Sequence, residues 1–213
     1  MAIPERRETV DGFEMQIGVN HFGWHLLTRL MEPMITDGGR VVFLSSLGHD
    51  QPPGMAKTAM DWNNINYEEP DTYDSWMAYG RSKLANVLDA KEFAKCLVGR
   101  GINTYAVHPG IVYTEIFRNL AVSSMASCIM RLIIPVTKHL MSSPLTGTLM
   151  SLRCAVDPAL AAPECSGKYW VDMKETTPSA IASDPANPPR LWTYTEDILE
   201  AKLGKKVDMV LAS

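Results

Sequence analysis

The stretch "RVVFLSS", residues 40–46, decides how the rest of the chain reads. It is a short, continuous apolar run that follows the turn-forming "TDGG" and ends in two serines. A half-exposed strand would alternate apolar with polar residues, so an unbroken run predicts a strand buried on both faces. "INTYAVH" at 102–108, stopped by Pro109-Gly110, and "GKYWVD" at 167–172 read the same way. A helix is predicted over about 74–98, and another from the cap Ser143-Pro144 to near Asp157-Pro158. The tail from about 189 to 203 spaces Leu191, Thr195, Ile198 and Leu199 as an amphipathic helix. Upstream, Asp11 is expected to cap a helix reaching about Ile35, with Glu14 three positions on as in a capping box. Residues 49–74, rich in Pro, Asn and acidic side chains, predict a long loop. Strands alternating with helices of this length imply an α/β fold with a parallel sheet, whose ligands sit at the carboxyl ends of the strands.

The bulk properties narrow the function classes. The 213 residues suffice for one large domain, and 46% apolar with 21% charged residues is ordinary globular composition. A net charge of -4, without runs of Lys or Arg, argues against nucleic-acid binding. Cys96, Cys128, Cys154 and Cys165 have no framework spacing and read as free thiols in a reducing compartment. The opening "MAIPERRETVDG" is polar and is not a secretory signal. Residues 120–141 are apolar but interrupted by Arg131, Pro135 and Lys138, which disfavours a spanning helix. An amphipathic lid, a peripheral membrane contact or a buried helical hairpin each fit that segment. The expected location is intracellular, either cytoplasmic or peripheral on an organelle membrane.

The chemistry begins with "WMAYGRSKLANVL", residues 76–88, which places Tyr79 and Lys83 one helical turn apart on one face. An ammonium held within about 4–6 Å favours the ionised form of a phenol. Such a tyrosine exchanges protons with an alcohol or carbonyl oxygen near neutral pH. Ser45 and Ser46 end the first strand, where a hydroxyl can hold the same oxygen. Alone, Tyr-x-x-x-Lys is weak, and a half-buried tyrosine with a lysine lying along it explains it as well.

Several motifs in order strengthen the case: "DGFEMQIGVNHFGWHLL" (11–27), "LSSLGH" (44–49), "YGRSKLANVL" (79–88), "VHPGIVYTEI" (107–116), "SPLTGTLMSLRCAVDP" (143–158) and "SGKYWVD" (166–172). Together they resemble the short-chain dehydrogenase/reductase superfamily, more narrowly its retinol dehydrogenase-like branch, which includes the WW-domain oxidoreductase. The resemblance implies a catalytic tetrad of Tyr79 as acid/base, Lys83 binding the nicotinamide ribose, Ser46 orienting the substrate oxygen, and Asn20 supporting a proton relay. It implies cofactor contacts from Tyr79, Lys83, Pro109, Gly110 and Thr114. The implied activity is NAD(P)-dependent interconversion of an alcohol and a carbonyl on an apolar substrate such as a retinoid, steroid or lipid aldehyde. The cofactor is NADP or NAD.

One departure stands out. None of the 14 glycines forms the G-x-G-x-x-G turn that holds a cofactor pyrophosphate. In family terms, residues 1–213 are the C-terminal, catalytic part of the domain. The resemblance then implies an incomplete Rossmann-like (doubly wound) fold whose parallel sheet lacks its first four strands. Strand 40–46 would expose an edge, so poor dinucleotide binding and a tendency to pair or aggregate are expected. The alternative function is a truncated, catalytically silent family member that acts as an interaction partner, dimerising through the helices at about 12–35 and 74–98. An incomplete gene product is the third reading.

Other features carry less. His21 and His25 lie four apart, but the Glu of H-E-x-x-H and a third ligand are missing, so no metal is expected. His49 and His108 flank the site and are explained by loop packing. Trp24, Leu26, Leu27 and Met31 read as core or interface, and "YEEPDTYD" (67–74) as a solvated face. The methionines between Met125 and Met150 suit either an apolar substrate mouth or core filling.

Overall fold

The computed structural model describes residues 3–51, 56–110 and 144–207. Thr114, Cys128 and the segment 120–141 therefore lie outside the described residues. Three strands, β1 (Arg40–Leu44), β2 (Asn103–His108) and β3 (Lys168–Val171), run parallel, and a short β4 (Lys174–Glu175) turns back against β3. The sheet order is β1-β2-β3-β4. This is an α/β, incomplete Rossmann-like fold.

All six residues of β2 are buried, because both faces of the sheet are covered. On one face, Phe43 and Ala106 pack against helix α3 (Ser75–Leu97) through Leu84, Leu88 and Phe93. On the other, Tyr105, Val107 and Trp170 pack with Met150 and Cys154 of α4 (Pro144–Val156). Arg40 ties β1 to the end of that helix by donating to the carbonyls of Cys154 and Asp157, both at 2.8 Å. Carbonyls at a helix end lack intrahelical partners, so an arginine there satisfies them. Among the described residues β1 pairs only with β2, and Leu44 and Leu47 are half exposed at that edge. No helix among the described residues is long and apolar enough to cross a membrane.

The first helix differs from its sequence prediction. Its cap is Glu14 rather than Asp11; the Glu14 carboxylate accepts from the amides of Gln16 and Ile17, each at 2.9 Å. Asp11 sits in a turn ahead of Gly12, whose φ of 82° breaks the helical run. Helix α1 (Met15–Ile17) passes into a π-helical turn, Gly18–Phe22, then α2 (Gly23–Met31) and a tight turn at Glu32–Met34. Helix α3 is capped by Asp74, which accepts from Trp76 and Met77 at 3.0 and 2.8 Å. A short α5 (Ala180–Ser183) precedes α6 (Asn187–Leu203), which packs on α3 through Leu191 and its neighbours.

Candidate active site

The candidate site forms where β1 ends. Ser45 turns inward and donates from its hydroxyl to the Lys83 carbonyl at 2.7 Å, so it splices the strand to α3. Ser46, in extended backbone, caps the tight turn Leu47–His49: its Oγ accepts from the Gly48 amide at 3.1 Å. The same turn brings Ser46 beside Tyr79: a Cβ built on Gly48 would stand 3.3 Å from Tyr79 Cε1 and 3.6 Å from Ser46 Oγ, and hydrogen bonding from Ser46 favours the ionised phenol.

Close approach makes this contact rigid. A Cβ on Gly48 would stand 3.3 Å from Tyr79 Cε1. A Cβ on Gly80 would stand 2.4 Å from Thr58 Oγ1 and 2.6 Å from the Gly48 carbonyl oxygen. The Thr58 hydroxyl donates to that same carbonyl at 2.8 Å. Only glycines allow the serine turn to lie flat on α3 beside Tyr79.

Lys83 follows one turn after Tyr79, with Nζ 5.8 Å from the centre of the phenol ring. Its ammonium donates to the Leu44 carbonyl at 3.0 Å, an acceptor shared with Asn86 at 2.9 Å. Desolvation lowers its pKa to about 8. For Tyr79 the direction is the reverse of the one its spacing from Lys83 predicts. Lys83 was expected to depress the phenol, but burial raises the Tyr79 pKa, and the opposing influence is the Ser46 hydroxyl.

Asn20, buried in the π-helical turn, donates to the Ser82 hydroxyl at 3.0 Å. Ser82 in turn donates to the Tyr79 carbonyl at 2.7 Å. A π turn within a helix often marks a functional position. Pro109 and Gly110, half-buried, follow the end of β2, with Gly110 at φ 84°. Thr114 lies outside the described residues.

The remaining sequence candidates separate cleanly. The Nδ1 atoms of His21 and His25 both face Asp89 at 3.1 Å. His21 Nε2 meets Thr195 at 2.8 Å, and His25 Nε2 meets Glu196 at 3.0 Å. These rings are a buried junction between α2, α3 and α6. Trp24, Leu27 and Met31 are exposed, so they are not core. Glu68 to Asp71 are solvated as expected, although Tyr67 beside them is buried under the Arg81 guanidinium, 4.2 Å from its ring. A cavity of about 600 Å³ in that region is lined by Arg6, Glu8 and Tyr73 among others and shares no residue with the candidate site. Sequence reasoning missed Ser82, Asn86 and Thr58. For Ser82 a signal existed, because a helical serine commonly bonds the carbonyl one turn back; for Thr58 none did.

A parallel α/β sheet with serine, tyrosine and lysine gathered at one strand end fits the short-chain dehydrogenase/reductase resemblance. No family model matches the chain. It is 38% identical over 194 residues to human retinol dehydrogenase 12, covering 90% of this chain and 56% of that protein. To human retinol dehydrogenase 13 it is 36% identical over 188 residues, covering 86% of this chain and 53% of the relative. A solved structure of an uncharacterized protein from Mycobacterium paratuberculosis superposes with a TM-score of 0.66 at 27% identity, covering 93% of this chain and 63% of the other. The chain therefore belongs to the retinol dehydrogenase-like branch of the family and spans about half the length of the curated relatives it matches.

Proposed function

We propose that the chain is an NAD(P)-dependent oxidoreductase unit that interconverts an alcohol and a carbonyl on an apolar substrate, a retinoid, steroid or lipid aldehyde. The observation that carries this reading is the convergence of Ser46 and Tyr79 around Gly48 at the carboxyl end of β1, with Lys83 one turn on. The names of the relatives support the substrate class, since retinol is an apolar alcohol.

In this mechanism Ser46 holds the substrate oxygen by a hydrogen bond, and Tyr79 gives or takes the proton on that oxygen. The Lys83 ammonium steadies the phenolate that remains after proton donation. Asn20 sets the backbone of Tyr79 through Ser82. When bound, a nicotinamide cofactor supplies or accepts the hydride. The residues present fit its ribose end, because Lys83 has three N–H donors and gives one to Leu44. Pro109, Gly110 and Thr114 are the candidates to flank the nicotinamide. The sequence contains neither the glycine-rich turn for the pyrophosphate nor the acidic or basic residue after it that selects between the two, so NADP and NAD both stay open.

The test is a titration of the purified chain with NADPH and NADH, followed by turnover of retinal with the wild type and with Tyr79→Phe. Saturable micromolar binding and a Tyr79-dependent rate support the reading. No binding up to millimolar cofactor removes catalysis by this chain alone.

A second reading, a catalytically silent interaction partner, is favoured by one specific feature. Trp24, Leu27, Met31 and Met34 expose an apolar stripe along the first helical stretch, at 56%, 45%, 43% and 73%. A homo- or heterodimer built on the helices at about 12–35 and 74–98 would cover it. Sizing chromatography of wild type against Trp24→Glu separates a dimer from a monomer. The free thiols of Cys96, Cys154 and Cys165 support an intracellular location, cytoplasmic or peripheral on an organelle membrane.

A further inference from the structure

His49 is 2% exposed and sits on the far side of the turn that Ser46 opens. Its Nδ1 lies 2.7 Å from the Ser46 carbonyl oxygen, and its Nε2 lies 3.0 Å from the amide nitrogen of Ser179. A backbone N–H can only donate, so Nε2 must carry the lone pair and Nδ1 the hydrogen. The two partners together fix one neutral tautomer. Ser179 is the cap of α5, which ties the region after β4 to the serine turn.

The turn has little freedom elsewhere. Gly48 and Gly80 leave no gap between it and α3, and Thr58 pins the Gly48 carbonyl. On the opposite side His49 is the connection. We propose that His49 is a positioning residue: neutral, hydrogen on Nδ1, it holds the Ser46 turn against Tyr79, and acid disables the site by protonating it. Protonation would set an Nε2–H against the Ser179 N–H, two donors facing each other.

The groups around the ring bear on where this happens. Burial opposes the charged form, while the Ser46 carbonyl and Asp50 favour it; His49 in turn lowers the pKa of neighbouring His108, which Asp172 raises, and Tyr169 presents its ring at 4.7 Å. Burial is the largest of these and lowers the His49 pKa from 6.5. The idea rests on reading Ser46 and Tyr79 as the proton-transfer pair, so its test needs an arm that does not depend on turnover.

That arm is nuclear magnetic resonance of the ¹⁵N-labelled full chain. His49 is expected to be neutral with hydrogen on Nδ1 at neutral pH, titrating below 6.5, with the Gly48 and Ser179 amides shifting at the same midpoint. In the activity arm, wild-type kcat falls at that midpoint. His49→Gln can donate and accept but does not titrate, so it keeps kcat within about threefold and loses the acid fall. His49→Phe lowers kcat about tenfold or more with KM within about twofold. If His49→Phe fails to fold, His49→Gln decides. An Nε2–H tautomer, a Gly48 amide indifferent to His49, or an acid fall that survives His49→Gln would overturn the proposal. A chain without turnover refutes the oxidoreductase reading, and the co-titration of Gly48 and Ser179 then decides the positioning role of His49 by itself.

Discussion

The Asn20 amide donates to the Ser82 hydroxyl at 3.0 Å, joining the π-helical turn of the first helical stretch to the helix that carries Tyr79. Because Ser82 passes the bond on to the Tyr79 carbonyl, Asn20 acts on the backbone that presents the phenol, and Lys83 bonds elsewhere, to Leu44.

Cutting that link should be measurable in stability. Asn20→Ala and Ser82→Ala are each expected to cost about 1–2 kcal/mol in denaturant unfolding, the range for a buried hydrogen bond. The double variant should fall short of the sum by about 0.5 kcal/mol or more. Additive costs would mean that the two side chains do not act together.

Tyr79 should remain a neutral phenol in the cofactor-free chain. Its folded pKa lies above the ordinary 10.0, so the stability it contributes is complete below that value and is lost as pH rises past it. An ultraviolet difference titration of wild type against Tyr79→Phe reads this directly. A phenolate appearing well below pH 10 would show that Lys83 outweighs burial after all. Turnover in Tyr79→Phe should drop by about 10²–10⁴-fold.

Lys83 is expected to trade stability for function. Its folded pKa of about 8 lies below the ordinary 10.5, so stability is highest above 10.5 and is lost as pH falls through 8. At neutral pH the ammonium is therefore a net cost. Lys83→Met should raise the unfolding free energy there by about 1 kcal/mol, after allowance for solvent screening, while abolishing turnover. Asn86 keeps the Leu44 carbonyl satisfied in the variant. A destabilised Lys83→Met would disprove the desolvation argument.

The histidine junction should make stability fall on the alkaline side. Asp89 and Glu196 raise the His25 pKa to about 9 against the burial that lowers it, so its contribution is complete below 6.5 and disappears as pH rises through 9. Asp89→Asn is expected to cost about 3 kcal/mol at neutral pH, the scale for breaking a buried charge pair, and to flatten the pH dependence of Tm. A wild-type Tm that does not fall between pH 6.5 and 9 would show that His25 is neutral in the folded chain.

Elements whose determinants are local were legible in advance. β2 announces itself because burial on both faces requires an unbroken apolar run; β1 carries the same kind of run, yet only its Phe43 is buried, and α3 begins at Asp74 because that side chain caps its own helix. β4 was not legible: its turn places Asp172 and Met173 at φ 47° and 64°, a conformation usually signalled by glycine or asparagine. The start of the first helix was misread for a related reason. The Glu14 amide is taken by Asn66 Oδ1 at 2.6 Å, a contact from 52 residues away that sets where the helix begins.

The same division runs through the site. Tyr79 and Lys83 share a face because four residues make about one helical turn, and Ser46 follows its strand; sequence alone determined those placements. The direction of the Tyr79 pKa depends on how deeply α3 packs against the serine turn. The partner of Asn20 lies 62 residues away, and that of His49 lies 130 residues away. Such contacts are decided only when the chain folds, because desolvation and hydrogen-bond satisfaction depend on neighbours in space and leave no periodic trace along the sequence.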